Sequence, residues 1–182
     1  MNYRIVHYPT LGSTNDEAKK LADSGVAEGT VLWADFQTKG RGRFDRQWVS
    51  PRSQNLLFSV ITRPRHIQIN HIPIVTHVAA KSVVRALTDE YQLKCQIKRP
   101  NDVMVDAKKI CGILVEGASK KQVTDYLVVG IGVNVNSRER DLTEGATSVY
   151  AICQKKQDRR QLLDAILKEF SHQYQTTFGS QN

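Results

Sequence analysis

Two unbroken apolar stretches constrain this chain most. Residues 55–62 and 126–135 lack the apolar–polar alternation of a strand with one wet face. Runs of this kind belong in the interior of a sheet, so the chain must also supply layers that cover it. It does. Ile72, Val75, Val78, Ala79, Ser82, Val83, Ala86 and Leu87 recur at i, i+3, i+4 spacing, the mark of a long amphipathic helix. A second helix is predicted over 158–174, with Leu162, Leu163, Ile166, Phe170 and Tyr174 on one face. A short one begins at Thr14, read as the N-cap of a capping box with Glu17 three residues on. Ala18, Leu21 and Ala22 give it a stripe, and Gly25 stops it. Further strands are predicted at 30–36 and from Cys95 to Lys98, ending before Pro100, which has no N–H for a ladder. Val103 and Val105 pair in a hairpin with 110–116. The expected fold is α+β: a mixed β-sheet covered by helices, in one domain over 1–182.

Composition narrows the class without choosing a function. No linker, repeat or low-complexity tract divides the 182 residues. Lys and Arg number 26 against 18 Asp and Glu, a formal charge of +8 that suits nucleic acid, nucleotide phosphates or an acidic protein partner. The three cysteines, Cys95, Cys111 and Cys153, form no CxxC pair, so reduced structural thiols are expected rather than a disulfide framework or a zinc site. His7, His66, His71, His77 and His172 lack metal-ligand spacing and read as surface or satisfied core residues. No apolar run approaches the ~18 residues of a membrane span, and the first ten residues carry no signal-peptide core. A soluble cytoplasmic protein is expected.

Four polar segments carry the chemistry. Residues 39–48 hold Lys39, Arg41, Arg43 and Arg46 against Asp45 alone, spaced by Gly40 and Gly42 and closed by Trp48. The glycines let backbone N–H groups approach an anion, the guanidinium forks fit phosphate or carboxylate oxygens, and the indole can stack on a base. Lys98-Arg99-Pro100-Asn101-Asp102 leaves a strand through a proline turn. It offers an ammonium, an amide that both donates and accepts, and a carboxylate able to hold Mg²⁺ or an arginine. Lys109 enters the strand that contains Gly112, Ile113, Leu114, Val115 and Glu116. Gly112, Gly130 and Gly132 lie inside strands, where glycine weakens the sheet unless a ligand or backbone comes close. The pair at 130 and 132 is no dinucleotide fingerprint, because the strand continues past it instead of opening a helix.

Taken in order, Ser13-Thr14-Asn15, Gln37 with Gly40-Arg41-Gly42-Arg43 and Trp48, Lys98 with Pro100-Asn101-Asp102, Lys109 with Gly112 to Glu116, and Gly130 to Asn134 resemble the catalytic domain of biotin protein ligases. The resemblance covers about residues 13–136. It implies a class II aminoacyl-tRNA synthetase-like fold and a two-step reaction: biotin and ATP, with Mg²⁺, give biotinyl-5′-adenylate and pyrophosphate, and biotin then passes to a lysine of a biotin carboxyl carrier domain, of acetyl-CoA carboxylase or another biotin enzyme. By the same resemblance Ser13, Thr14, Asn15, Gln37, Arg41, Gly42, Arg43, Lys109 and Gly112 would meet biotin. Arg43, Arg46, Trp48, Lys98, Asn101 and Asn134 would meet ATP, and Asp102 the Mg²⁺. Arg41, Arg43, Lys98 and Lys109 would be catalytic, neutralising a carboxylate as it approaches a triphosphate. Gly112 and Gly132 would clear room for ligand. The loop at 41–46 would close when biotin binds and keep water from the mixed anhydride.

The chain also departs from the family pattern. Arg99 stands where the family has Trp, and Phe44-Asp45 replaces a more basic, glycine-containing stretch. Neither a DNA-binding helix-turn-helix before Ser13 nor an SH3-like barrel after Asn136 is expected, so no DNA partner is expected; a homodimer is a family expectation. On the residues alone two other functions stay open: a lipoate or octanoate ligase or transferase of the same fold, and a basic RNA-binding module.

Overall fold

The computed structural model describes residues 1–44, 46–64, 71–120 and 123–178, with the backbone alone at 120 and 123. Asp45 and His66 lie outside the described residues. The sheet is built from β1 (Arg4–Tyr8), β2 (Thr30–Ala34), β3 (Leu56–Thr62), β4 (Cys95–Lys98), β5 (Asp102–Val105), β6 (Lys108–Lys120) and β7 (Val123–Val133). Its order is β1-β2-β3-β7-β6-β5-β4. Only β1 and β2 run parallel, and the other neighbours are antiparallel. The two apolar runs became β3 and β7, hydrogen-bonded to each other at the centre of the sheet.

The two faces are covered unequally. Against one pack α2 (Ile72–Tyr91) and α4 (Arg159–Phe178), whose stripes form the main core with Phe58, Val129, Ile131, Ile113 and Cys111. Against the other lies α1 (Thr14–Asp23), whose buried apolar residues are Ala18 and Ala22, over Leu32, Ile61 and Val128. One short helix therefore leaves part of that face bare. Residues directly opposite in an antiparallel ladder project to the same side, so the register names what paves the bare part. Under α1 runs the row Ile61, Val128, Glu116; next comes Ser59, Gly130, Leu114; then Leu57, Gly132, Gly112, Asp102, Lys98. The face passes from apolar to glycine to charged in three rows.

Several boundaries differ from expectation. The strand predicted over 30–36 stops at Ala34, the one over 126–135 stops at Val133, and α4 runs on to Phe178. Neither β1 nor α3 (Val149–Cys153) is legible as a period, both being five residues long. The cap of α1 is Ser13, not Thr14: the Ser13 Oγ accepts from the Asp16 N–H at 3.5 Å. Thr14 is drawn off by tertiary partners described below. Cys111 is buried, as a structural thiol should be, whereas Cys153 is exposed.

Candidate active site

The bare glycine floor is the bottom of a cavity of about 340 Å³. The N-terminus of α1, the loop 37–48 and the turn 98–102 wall it. Because α1 crosses β3 and β7 at its first turn, Asn15 lies flat on Gly130, where a Cβ would collide with the Asn15 amide. Ser59 is a buried hydroxyl in the middle of β3. It lies 2.7 Å from Asn15 Oδ1 and 2.8 Å from Thr14 Oγ1. Gln37 Oε1 accepts from the Thr14 N–H at 2.7 Å and from its hydroxyl at 3.0 Å. Ser13, Thr14 and Asn15 are all buried. This end of the cavity is therefore uncharged and built of fixed hydrogen-bonding groups, with the Gln37 Nε2 left beside Gly40.

The loop folds back on itself. Gly42 N–H donates to Arg46 O at 2.7 Å, and Trp48 N–H donates to Gly40 O at 3.0 Å. A Cβ at Gly40 would strike the Trp48 carbonyl, so only glycine allows this closure. The Trp48 indole then comes down on the floor. Side chains at Gly112 and Gly132 would meet it at 2.9 and 2.7 Å. Trp48 thus takes part of the room that the glycines provide, and both glycines still line the cavity. Phe44, at the loop tip, holds a left-handed φ of 54° and is exposed. A bulky residue is rarely found in that conformation, which glycine adopts without strain.

The opposite end is cationic. Lys98, Arg99, Arg43 and Arg46 line it, and none has a carboxylate partner among the described residues. Arg43 reaches across to Asn101 Oδ1 at 3.4 Å, and Asn101 Nδ2 is fixed to Ile113 O at 2.8 Å. Lys109 stands over Gly112, its Nζ 2.6 Å from Asp102 and 5.6 Å from the centroid of the indole. By register Gly112 lies between Gly132 and Asp102, with Lys98 one strand further on and the Gly130 row beside it, so Lys109 stands between the neutral and cationic ends.

One sequence-predicted residue stands away from the cavity, and two that line it are held by partners within the chain. Asn134 does not line the cavity: its Oδ1 accepts from Asn55 at 3.3 Å and its Nδ2 donates to Thr147 O at 3.1 Å. It braces the segment after β7 from within. Arg41 lines the cavity, but its guanidinium is ion-paired with Glu116, and with Asp16 at 3.3 Å. Asp102 is held by Lys109. No group of three His, Cys, Asp or Glu able to hold a metal occurs among the described residues. With one carboxylate already paired, these residues do not make a resident Mg²⁺ site.

Sequence reading passed over Ser59, Asp16 and Glu116 as site residues. A hydroxyl in the middle of an apolar run was the available signal for Ser59, since a buried polar group needs a partner. Burial pushes the Glu116 carboxyl up, but hydrogen bonds from Arg41, Asn15 and Lys19 outweigh it and hold the group below the usual carboxylate range.

Residues 8–134 match the family model described as the biotin/lipoate A/B protein ligase family. The bifunctional ligase/repressor BirA of Bacillus subtilis (strain 168) is 34% identical over 178 residues, covering 96% of this chain and 54% of that protein. The biotin–[acetyl-CoA-carboxylase] ligase of Mycobacterium tuberculosis is 30% identical over 162 residues, covering 87% and 59%. The chain thus spans little more than half the length of these relatives. The biotin protein ligase of Aquifex aeolicus, solved with biotin and ATP, superposes with a TM-score of 0.80 at 34% identity, covering 97% of this chain and 72% of that one. The mixed sheet with helices is the fold of these structures, and among the described residues no helix is long and apolar enough to cross a membrane. With the family model spanning every segment of the cavity, the chain belongs to the biotin/lipoate A/B protein ligase family.

Proposed function

We propose that this chain carries the catalytic site of an ATP-dependent biotin protein ligase. One observation carries the reading: a single cavity joins a hydrogen-bonding end of neutral side chains to a cationic end without carboxylate partners among the described residues, with Lys109 between them. A ureido ring suits the first end. Its carbonyl and two N–H groups can replace water on Ser13, Thr14, Asn15 and Gln37 without moving a charge, and such a site rejects analogues that lack the matching groups. The triphosphate of ATP suits the second, with Arg43, Arg46, Lys98 and Arg99 around it and the adenine against Trp48.

In the first step a biotin carboxylate oxygen bonds to the α-phosphorus while the bond from that phosphorus to the β-bridging oxygen breaks, releasing pyrophosphate. Two anions must meet, so the residues have to hold positive charge at the meeting point without reorganising. Lys109 does so while already neutralised by Asp102. An arriving carboxylate competes with Asp102 for an ammonium that is fixed in place, and Lys98, opposite Asp102 in the ladder, takes up the carboxylate this releases. In the second step a carrier lysine amine attacks the acyl carbon, loses a proton and expels AMP. Mg²⁺ would enter bound to the triphosphate. The acceptor is a biotin carboxyl carrier domain, the substrate implied by the name of the Mycobacterium relative.

The test is biotin-dependent ATP–pyrophosphate exchange, run beside lipoate and octanoate, on wild type and Lys109→Ala. Exchange with biotin alone, reduced about 10²–10³-fold in the variant, is expected. Exchange with lipoate or octanoate instead would move the assignment to the sister enzymes of the family.

A further inference from the structure

Glu116 occupies a row that is otherwise apolar. It lies opposite Val128 under α1, with its side chain 24% exposed. A carboxylate there is costly unless several donors meet it, and donors from two separate segments do. Lys19 Nζ approaches Oε1 at 3.1 Å, while Asn15 Nδ2 at 2.8 Å and the Arg41 guanidinium both reach Oε2. Asp16 closes the cluster from the other side, 3.3 Å from Arg41 and 3.5 Å from Lys19. Two cations are thus balanced by two anions. That separates Arg41 from its neighbours in the loop: its charge is spent within the protein, whereas Arg43 and Arg46 have no acidic partner among the described residues.

The same carboxylate also begins a hydrogen-bonded path into the neutral end of the cavity. Asn15 Nδ2 is shared between Glu116 and Leu114 O, which fixes the amide plane; its Oδ1 meets Ser59, Ser59 meets Thr14, and Thr14 meets Gln37. α1 does not need this carboxylate to dock, because Ala18 and Ala22 pack on Leu32, Ile61 and Val128. The loop does need such ties. Phe44 at its tip is exposed, and beyond the Gln37 and Thr38 bonds at its start the side-chain ties of its glycine–arginine part are Arg41 to Glu116 and Asp16, Arg43 to Asn101, and Trp48 on the glycine floor.

We propose that Glu116 is a positioning residue that tethers the glycine–arginine loop through Arg41 and sets the Asn15 amide, so that it governs how long the cavity retains what forms inside it. The consequence for retention rests on the ligase reading above; the tether does not.

The experiment uses the full chain without ligand. Trypsin cleavage at residues 41–46 is followed in wild type, Glu116→Gln, Glu116→Asp and Lys19→Met, beside thermal melting of each. Glu116→Gln should raise the rate of the first cut about tenfold, the order expected for losing a charged hydrogen bond, with a melting point close to wild type. Glu116→Asp keeps the charge and should restore part of the protection, and it decides the matter if the Gln variant fails to fold. Lys19→Met should cut like wild type. Equal cutting of wild type and Glu116→Gln would overturn the tether, as would an equal effect of Lys19→Met. In a second arm, single-turnover reactions with biotin and labelled ATP measure adenylate released to solution. Faster release from Glu116→Gln supports retention, and unchanged release overturns it. A wild type that forms no adenylate refutes the ligase reading and the retention with it, while the trypsin arm still decides the tether.

Discussion

Gly132→Ala separates the scaffold from the site more cleanly than any change in a charged residue. The added Cβ would stand 2.7 Å from Trp48 Cε2, 2.9 Å from Cζ2 and 3.1 Å from Nε1. One partner must give way. β7 cannot, because it is hydrogen-bonded to β3 on one side and β6 on the other. Nor can the ring slide along the floor, because Gly112 carries its other edge. The indole must lift by about 0.7 Å, the gap between 2.7 Å and the 3.4 Å at which ordinary contact begins. Alanine suits an extended backbone, and losing glycine's freedom in the unfolded chain is worth ~0.4–1 kcal/mol, so the melting point should hold. Base–aromatic stacking is worth ~1–3 kcal/mol, so a displaced platform should raise the KM for ATP about 5- to 150-fold. Biotin affinity by calorimetry should stay within about twofold, since Thr14 and Gln37 are held over the neighbouring row through Ser59 and keep their own partners. A wild-type KM for ATP in a folded variant would refute the role of Trp48 as a platform. An equal loss of biotin and ATP affinity would refute the division of the cavity into two ends.

Two further outcomes follow from the same geometry. Asp35 binds Arg159 at 2.8 Å and His7 at 3.2 Å, linking the end of β2 to the start of α4. Asp35→Asn should therefore cost about 2 kcal/mol in denaturant unfolding at pH 7. Burial pushes the Asp35 carboxyl up, but Arg159 and His7 outweigh it and hold it below the usual range. The group thus contributes stability above an unfolded value of about 4 and loses it as pH falls through the depressed one. The gap between wild type and variant should close as pH falls below about 4; a gap that kept its full size at about pH 2 would reverse the assignment. Arg99, a cavity cation with no acidic partner among the described residues, should raise the KM for ATP about two- to fivefold when changed to Ala, the scale of an exposed charge contact. Biotin affinity should not move, and a loss confined to biotin would place Arg99 at the wrong end.

Much of the fold was legible because each covering element is long enough to show its period. The stripes of α2 and α4 and the solid apolar runs of β3 and β7 each need one partner surface, and only a central sheet supplies it. β1 and α3 were not legible, since at five residues neither completes a pattern and each is held by tertiary pairing. In the site, the glycines at 112, 130 and 132 announced a close approach correctly. What approaches was beyond the sequence: two of them meet Trp48 and one meets Asn15, all three from this chain.

The charged residues show why composition stops where it does. A string of arginines spaced by glycines reads as uniform, yet the fold divides it, because acid partners come from α1 and β6, far away in the chain. Asp16 and Glu116 take Arg41 and leave Arg43 and Arg46 facing the cavity. The start of α1 repeats the lesson at smaller scale. Ser13-Thr14-Asn15-Asp16-Glu17 contains two overlapping caps, Ser13 with Asp16 and Thr14 with Glu17, and local rules favour the second because glutamate completes the box. The choice falls to Gln37 and Ser59, which claim both polar groups of Thr14 and leave only Ser13 free to cap. The helix therefore starts one residue earlier than its own sequence prefers, and that shift lays the amide of Asn15 on Gly130 and brings it within reach of Glu116. A local preference gave way at the point where the site needed the helix to begin.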